Sequence, residues 1–165
     1  MRRLVWLTVL AIALAVPAVG FALSASDNND GTLSVKAGVG RVYVNFNGSA
    51  VGRVLHGSIQ VTDPVVSDGI GFDFSGCTVE FDKSDTTTIC RGNNLRFRAI
   101  GGRFQILIRG AGSYLSAVGD GYAVLNGAGD DPSIDSDGTY SLNDGPYKSL
   151  PDFSRTFTLA APVGG

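Results

Sequence analysis

Between Thr86 and Gly119 the chain carries five arginines and no acid: Arg91, Arg96, Arg98, Arg103 and Arg109. A guanidinium is planar, permanently charged and forked, so it grips carboxylate, sulfate or phosphate oxygens two at a time. The chemistry such a cluster can do is anion recognition, and an acidic polysaccharide or other envelope polymer is the partner it suits. Gly101-Gly102 is a pair fit for a two-residue hairpin turn. That turn pairs Ile100 with Arg103, Arg98 with Gln105 and Arg96 with Leu107, and sets Asn94 opposite Arg109. One ribbon face then presents Arg96, Arg98, Arg103 and Arg109. The other holds Leu95, Phe97, Ala99, Phe104, Ile106 and Ile108. The competing expectation is a solvated face neutralised from within, because Asp120 to Asp152 holds seven acids against Lys148 alone.

A second cluster is acidic. Asp130, Asp131, Asp135 and Asp137 crowd one loop, and Asp131, Asp135 and Asp137 are candidate calcium ligands because hard cations favour such oxygens. The EF-hand spacing is not met: no Glu stands at the last ligand position. Asp-rich turns also serve simply to cap strands and satisfy their own backbone, which is the competing expectation. Cys77 and Cys90 are the only cysteines. In an exported chain an even pair reads as one disulfide. A turn at Asp82-Lys83-Ser84-Asp85 sets Phe81 opposite Thr86, Val79 opposite Thr88 and Cys77 opposite Cys90. Catalysis has little to stand on. His56 is the sole histidine, so a triad or a histidine metal cluster would rest on it alone. A carboxylate pair among the aspartates is the one hydrolytic option, acting on an extracellular polymer. Gly38-Val-Gly40 precedes a strand, not a helix, and Gly110-Ala-Gly112 lacks a third glycine, so neither is a nucleotide loop.

The elements that must position these residues read as strands throughout. Val42, Val44 and Phe46 share one face of a run from Arg41. Ser58–Thr62, Ile70–Phe74, Leu95–Ala99, Phe104–Ile108, Tyr122–Leu125 and Arg155–Leu159 alternate in the same way. Asn-Gly or Asp-Gly pairs begin at Asp30, Asn47, Asp68, Asp120, Asn126, Asp137 and Asp144, and such pairs supply the positive φ of tight hairpins. About ten short strands result, which predicts a single all-β domain over residues 26–165, an antiparallel sandwich or barrel. A short β-helix is the alternative, because single glycines separate short strands and Gly40-Arg41-Val42 is faintly echoed by Gly102-Arg103-Phe104.

The first 25 residues carry the address. Met1-Arg2-Arg3 is a positive n-region, Leu4–Val16 is uncharged, Pro17 interrupts the run, and the small residues Gly20, Ala22, Ser24 and Ala25 offer cleavage positions. This is the layout of a secretory signal peptide, placing the protein in the envelope, the periplasm or the medium. The rival is an uncleaved leader acting as a membrane anchor, since Leu4–Ala25 could span a bilayer. Removing Arg2 and Arg3 leaves 11 basic against 15 acidic side chains, a net charge of −4 compared with −2 for the full chain. That balance argues against a general nucleic-acid binder.

Three stretches carry a resemblance: Asn94–Phe104, Leu115–Gly121 and Asp137–Tyr147. They resemble a group of small, uncharacterised exported bacterial proteins, Gly-rich and all-β. The likeness covers most of the chain after Gly38. It implies export and a β fold, and it transfers no catalytic residue. The expectation is therefore an exported binding or structural module without a cofactor, calcium being the one candidate ion. The alternative is an aspartate-based hydrolase.

Overall fold

Alternation at period two builds almost every element, because successive side chains of a strand point to opposite faces. The computed structural model describes residues 29–66, 71–129 and 136–161; the leader and Asp68-Gly69 lie outside them. Among the described residues six strands follow one another: β1 (Gly31–Thr62), β2 (Phe72–Ser84), β3 (Thr87–Gly127), β4 (Thr139–Leu142), β5 (Lys148–Ser149) and β6 (Arg155–Leu159). All pair antiparallel in one hydrogen-bonded sheet. The expected all-β antiparallel architecture is present. The expected ten short strands are not, because β1 runs unbroken for 32 residues and β3 for 41.

Glycine explains the difference. Asn47-Gly48 and Asp120-Gly121 sit inside the long strands and bend them instead of ending them. The glycines also fall into register. Gly31, Gly119, Gly48 and Gly102 lie side by side across successive strands, as do Gly127, Gly40, Gly110, Gly57 and Gly92. Each line is a crease where the whole sheet turns a corner, the known use of glycine at barrel and sandwich corners. At Gly57 and Gly110, φ is 146° and 149°. A β-carbon on Gly57 would collide with the Arg109 carbonyl oxygen, and one on Gly110 with that of His56.

Between the two creases the sheet forms two layers around one core. The first holds β4, then 31–39, 111–119, 49–56 and 93–101, then the Phe72–Ser75 end of β2. The second holds β6, then 120–127, 41–47, 103–109, 58–62 and 87–91, then the Cys77–Ser84 end of β2. Val42 pairs with Ile108, and Ile108 also pairs with Ile59, so β1 comes back to the same β3 residue 17 residues on, from Val42 to Ile59. That is the returning path of a coil. Its neighbours run antiparallel because they come alternately from β1 and β3. Strands that switch layers at bends are how orthogonally packed sandwiches make their corners.

Leu33, Val35, Leu95, Phe97 and Leu115 of the first layer meet Val44, Phe46, Ile59, Phe104, Ile106, Ile108 and Leu125 of the second in one buried cluster. Burying each side chain of this size contributes about 1.5–3 kcal/mol. The two inward faces expected for 95–99 and 104–108 are thus both in the core, though on opposite layers.

The disulfide Cys77–Cys90 is formed, with a Cα–Cα distance of 5.4 Å. Its register differs from the expected one. The turn falls at Asp85-Thr86, Phe81 lies opposite Ile89, and Cys77 lies opposite Gly92. Bulges between Ser75 and Cys77 and between Cys77 and Val79 break the simple alternation, so the bridge does not join directly opposed residues.

Candidate functional site

The hairpin expected at Gly101-Gly102 is absent, and this rearranges the arginines. Residues 87–127 run on as β3 through a crease, so Arg98 lies opposite Val51 and Asp73, not Gln105. Arg103 lies opposite Asn47, and Arg109 opposite Arg41 and Ser58. All four remain exposed on outward faces. Arg96 and Arg98 belong to the first layer and Arg103 and Arg109 to the second, so they do not form one face. The physical reason is that β1 supplies partners for both arms of β3, which removes any need for the arms to pair with each other.

The first-layer arginines have partners that the sequence reading missed. Arg53 is the direct cross-strand neighbour of Arg96 on one side and of Tyr114 on the other. Arg53, Arg96, Arg98, Tyr114, Lys36 and Val51 line a hollow of about 730 Å³ on the outward face, large enough for a small ligand or a polymer segment. The Arg53 guanidinium carbon stands 4.3 Å from the centre of the Tyr114 ring, a cation–π contact that orients the fork. Asp73 lies opposite Arg98 in register. Among the described residues no ion pair holds Arg53, Arg96 or Arg98.

The β4–β5 hairpin stands beside two residues that line the hollow, Ser34 and Lys36. Asn143 and Asp144 take positive φ (49° and 54°) and the Gly145 amide donates to the Leu142 carbonyl over 2.9 Å, a tight turn of the mirror-image type. Asn143 fixes this turn to the start of β1 by accepting from the Thr32 amide at 3.0 Å. The hairpin carries Tyr147 over Lys36, whose ammonium nitrogen stands 3.9 Å from the ring centre. Ser34 Oγ and Tyr147 Oη share a hydrogen bond of 2.9 Å. That bond and the neighbouring Lys36 hold the Tyr147 hydroxyl below the ordinary tyrosine range.

Arg53 and Lys36 carry a weak sequence signal. Both occupy outward positions next to buried residues, Val54 and Val35, but only the coiled pairing sets Arg53 beside Arg96 and brings Lys36 to the same hollow.

Of the candidate calcium ligands, Asp131 and Asp135 lie outside the described residues. Asp137 is engaged locally, its Oδ2 accepting from the Gly129 amide at 3.0 Å. No group of three or more metal-binding side chains occurs among the described residues. His56 is exposed at a crease, its Nδ1 2.8 Å from Asn93 Oδ1 on the neighbouring strand. Comparison of the chain with protein-family models, curated proteins and solved structures finds no match.

Proposed function

We propose that this protein is an exported binding module for an acidic polymer, and that Arg53, Arg96 and Arg98 with Lys36 grip the polymer's anionic groups. One observation carries the reading: Arg53 and Arg96 face each other across adjacent strands. Like charges directly opposite are destabilising, since cross-strand β-carbons stand only about 5 Å apart. A bound anion bridging the two forks removes that cost. The concave wall also favours the task, because a recess lined by one sign of charge concentrates ligands of the other. Tyr114 and Val51 add apolar surface against which a sugar ring packs.

The extracellular assignment draws on the leader pattern of residues 1–25 and on the Cys77–Cys90 bridge, which suits an oxidising compartment. Binding is tested with polygalacturonate, using neutral dextran as the control. Wild-type protein is expected to bind the acidic polymer alone and to lose affinity as salt rises. Arg53→Ser with Arg96→Ser is expected to lower affinity at least tenfold. Equal binding by that variant and the wild type would contradict the reading.

A further inference from the structure

We infer that the protein binds acidic polymer on both sides of its core and so joins two polymer strands, an inference that rests on the polymer-binding reading above. A second row of arginines crosses the second layer. Arg41 lies directly opposite Arg109, Arg109 opposite Ser58, and Ser58 opposite Arg91. Asn126 and Val79 extend the row at its two ends, so it contains no carboxylate. All three arginines are exposed. Adjacent strands stand about 4.8 Å apart, so the row spreads its charges along a line an extended chain can follow.

The row repeats the chemistry of the hollow. Arg41 and Arg109 are like charges at directly paired cross-strand positions, as Arg53 and Arg96 are, and among the described residues no ion pair relieves either couple. An aromatic surface lies beside it. Tyr43 is next but one to Arg41, and its ring centre is 6.0 Å from that of Tyr122. Tyr43 Oη donates to Gln105 Oε1 at 3.3 Å, and Asn45 Nδ2 donates to Tyr122 Oη at 3.4 Å. Aromatic faces flanked by amides and cations suit a sugar polymer carrying acidic groups better than a bare inorganic anion.

The two rows cannot serve one straight polymer segment. Between them lies the core, with Phe97 and Leu115 beneath the hollow and Ile106 and Ile108 beneath the second row. Each face therefore engages its own strand, or a distant part of the same strand. Two weak faces on one rigid body multiply avidity without any new contact.

The test uses the whole exported protein and polygalacturonate. Light scattering reports joining, and affinity electrophoresis reports binding. Wild type is expected to bind and to raise scattering well above polymer alone. Without the leader the chain carries 11 basic and 15 acidic side chains, a net charge of −4, so bulk neutralisation of the polymer does not explain such a rise. Arg41→Ser with Arg109→Ser is expected to abolish the scattering while binding persists through the hollow. Arg53→Ser with Arg96→Ser is expected to lose the scattering too, and the quadruple variant to lose both signals. Thermal melts confirm that each variant is folded, and a variant that is not is replaced by the Arg→Gln form. Wild type that binds without scattering, or a second-row variant that scatters like wild type, overturns the inference while leaving the binding function standing. Wild type that does not bind at all removes the binding function itself.

Discussion

Gly57 of β1 and Gly110 of β3 meet so closely that a β-carbon on either would strike a carbonyl oxygen of the other strand. Their contact is one point on the crease that Gly127, Gly40, Gly110, Gly57 and Gly92 form across the sheet. The fold therefore depends on glycine at a position where no turn exists. Gly110→Ala is expected to destabilise by about 2–4 kcal/mol, since neither the backbone overlap nor the φ of 149° can relax locally. Gly71 has no atom within 4 Å of where its β-carbon would stand. Gly71→Ala is expected to stay within about 0.5 kcal/mol of wild type. Comparison of the two melts checks the pair.

The same crease marks where sequence reading stops. Period-two alternation identified the inward faces of 42–46, 95–99 and 104–108, because burial on one face leaves a local trace. The cysteine pair is legible from the count of two, whereas its strand register is not. The layer change left no comparable trace, because Asn-Gly and Gly-Gly serve a hairpin turn and a bend equally well. Gly101-Gly102 therefore fits a turn by local pattern, which sets Arg98 on the face of Arg103. A longer-range signal was present in the glycines at 31, 40, 48 and 57 and at 92, 102, 110, 119 and 127. Their even spacing in both halves matches one strand arm per interval. The partnership of Arg53 with Arg96 depends on that coil and is invisible to any local window.

The disulfide joins residues 13 apart. Closing a loop of this size in the unfolded chain stabilises the folded state by about 3 kcal/mol. Cys77→Ser with Cys90→Ser, or reduction of the wild type, is expected to lower the melting temperature by several degrees. Denatured, oxidised protein is expected to show no free thiol, and two titrating thiols would contradict the bridge.

The Arg53–Arg96 couple makes a stability prediction separate from binding. Arg96→Ser removes one of two opposed like charges, so in low salt the variant is expected to melt at or slightly above the wild-type temperature. The difference is expected to be under about 1 kcal/mol and to vanish in high salt, where exposed charges are screened. A clear loss of stability at low salt would show that Arg96 has a stabilising role instead.

Two tyrosines are displaced in opposite directions. Tyr147 is lowered by its hydrogen bond with Ser34 and by Lys36, whereas burial and the hydrogen bond with Tyr122 raise Tyr43. In an alkaline titration followed by ultraviolet absorbance, Tyr147 is expected to ionise before Tyr43. The linkage signs are opposite. A lowered Tyr147 favours the folded state fully only above the unfolded tyrosine value of 10.0, and that contribution is lost as pH falls through its folded value. A raised Tyr43 favours the folded state below the unfolded value and ceases to do so as pH rises through its folded value. Lys36→Met is expected to move the early step upward, and an unmoved step would assign it to another residue.

Nuclear magnetic resonance of the labelled protein during polygalacturonate addition tests the binding site most directly. The guanidinium Nε–H signals of Arg53, Arg96 and Arg98 and the ring signals of Tyr114 are predicted to shift together, saturate with added polymer, and return as salt is raised. Saturable shifts confined to other regions, such as the β2 edge, with these four residues unmoved, would contradict the assignment of the hollow as the polymer-binding site.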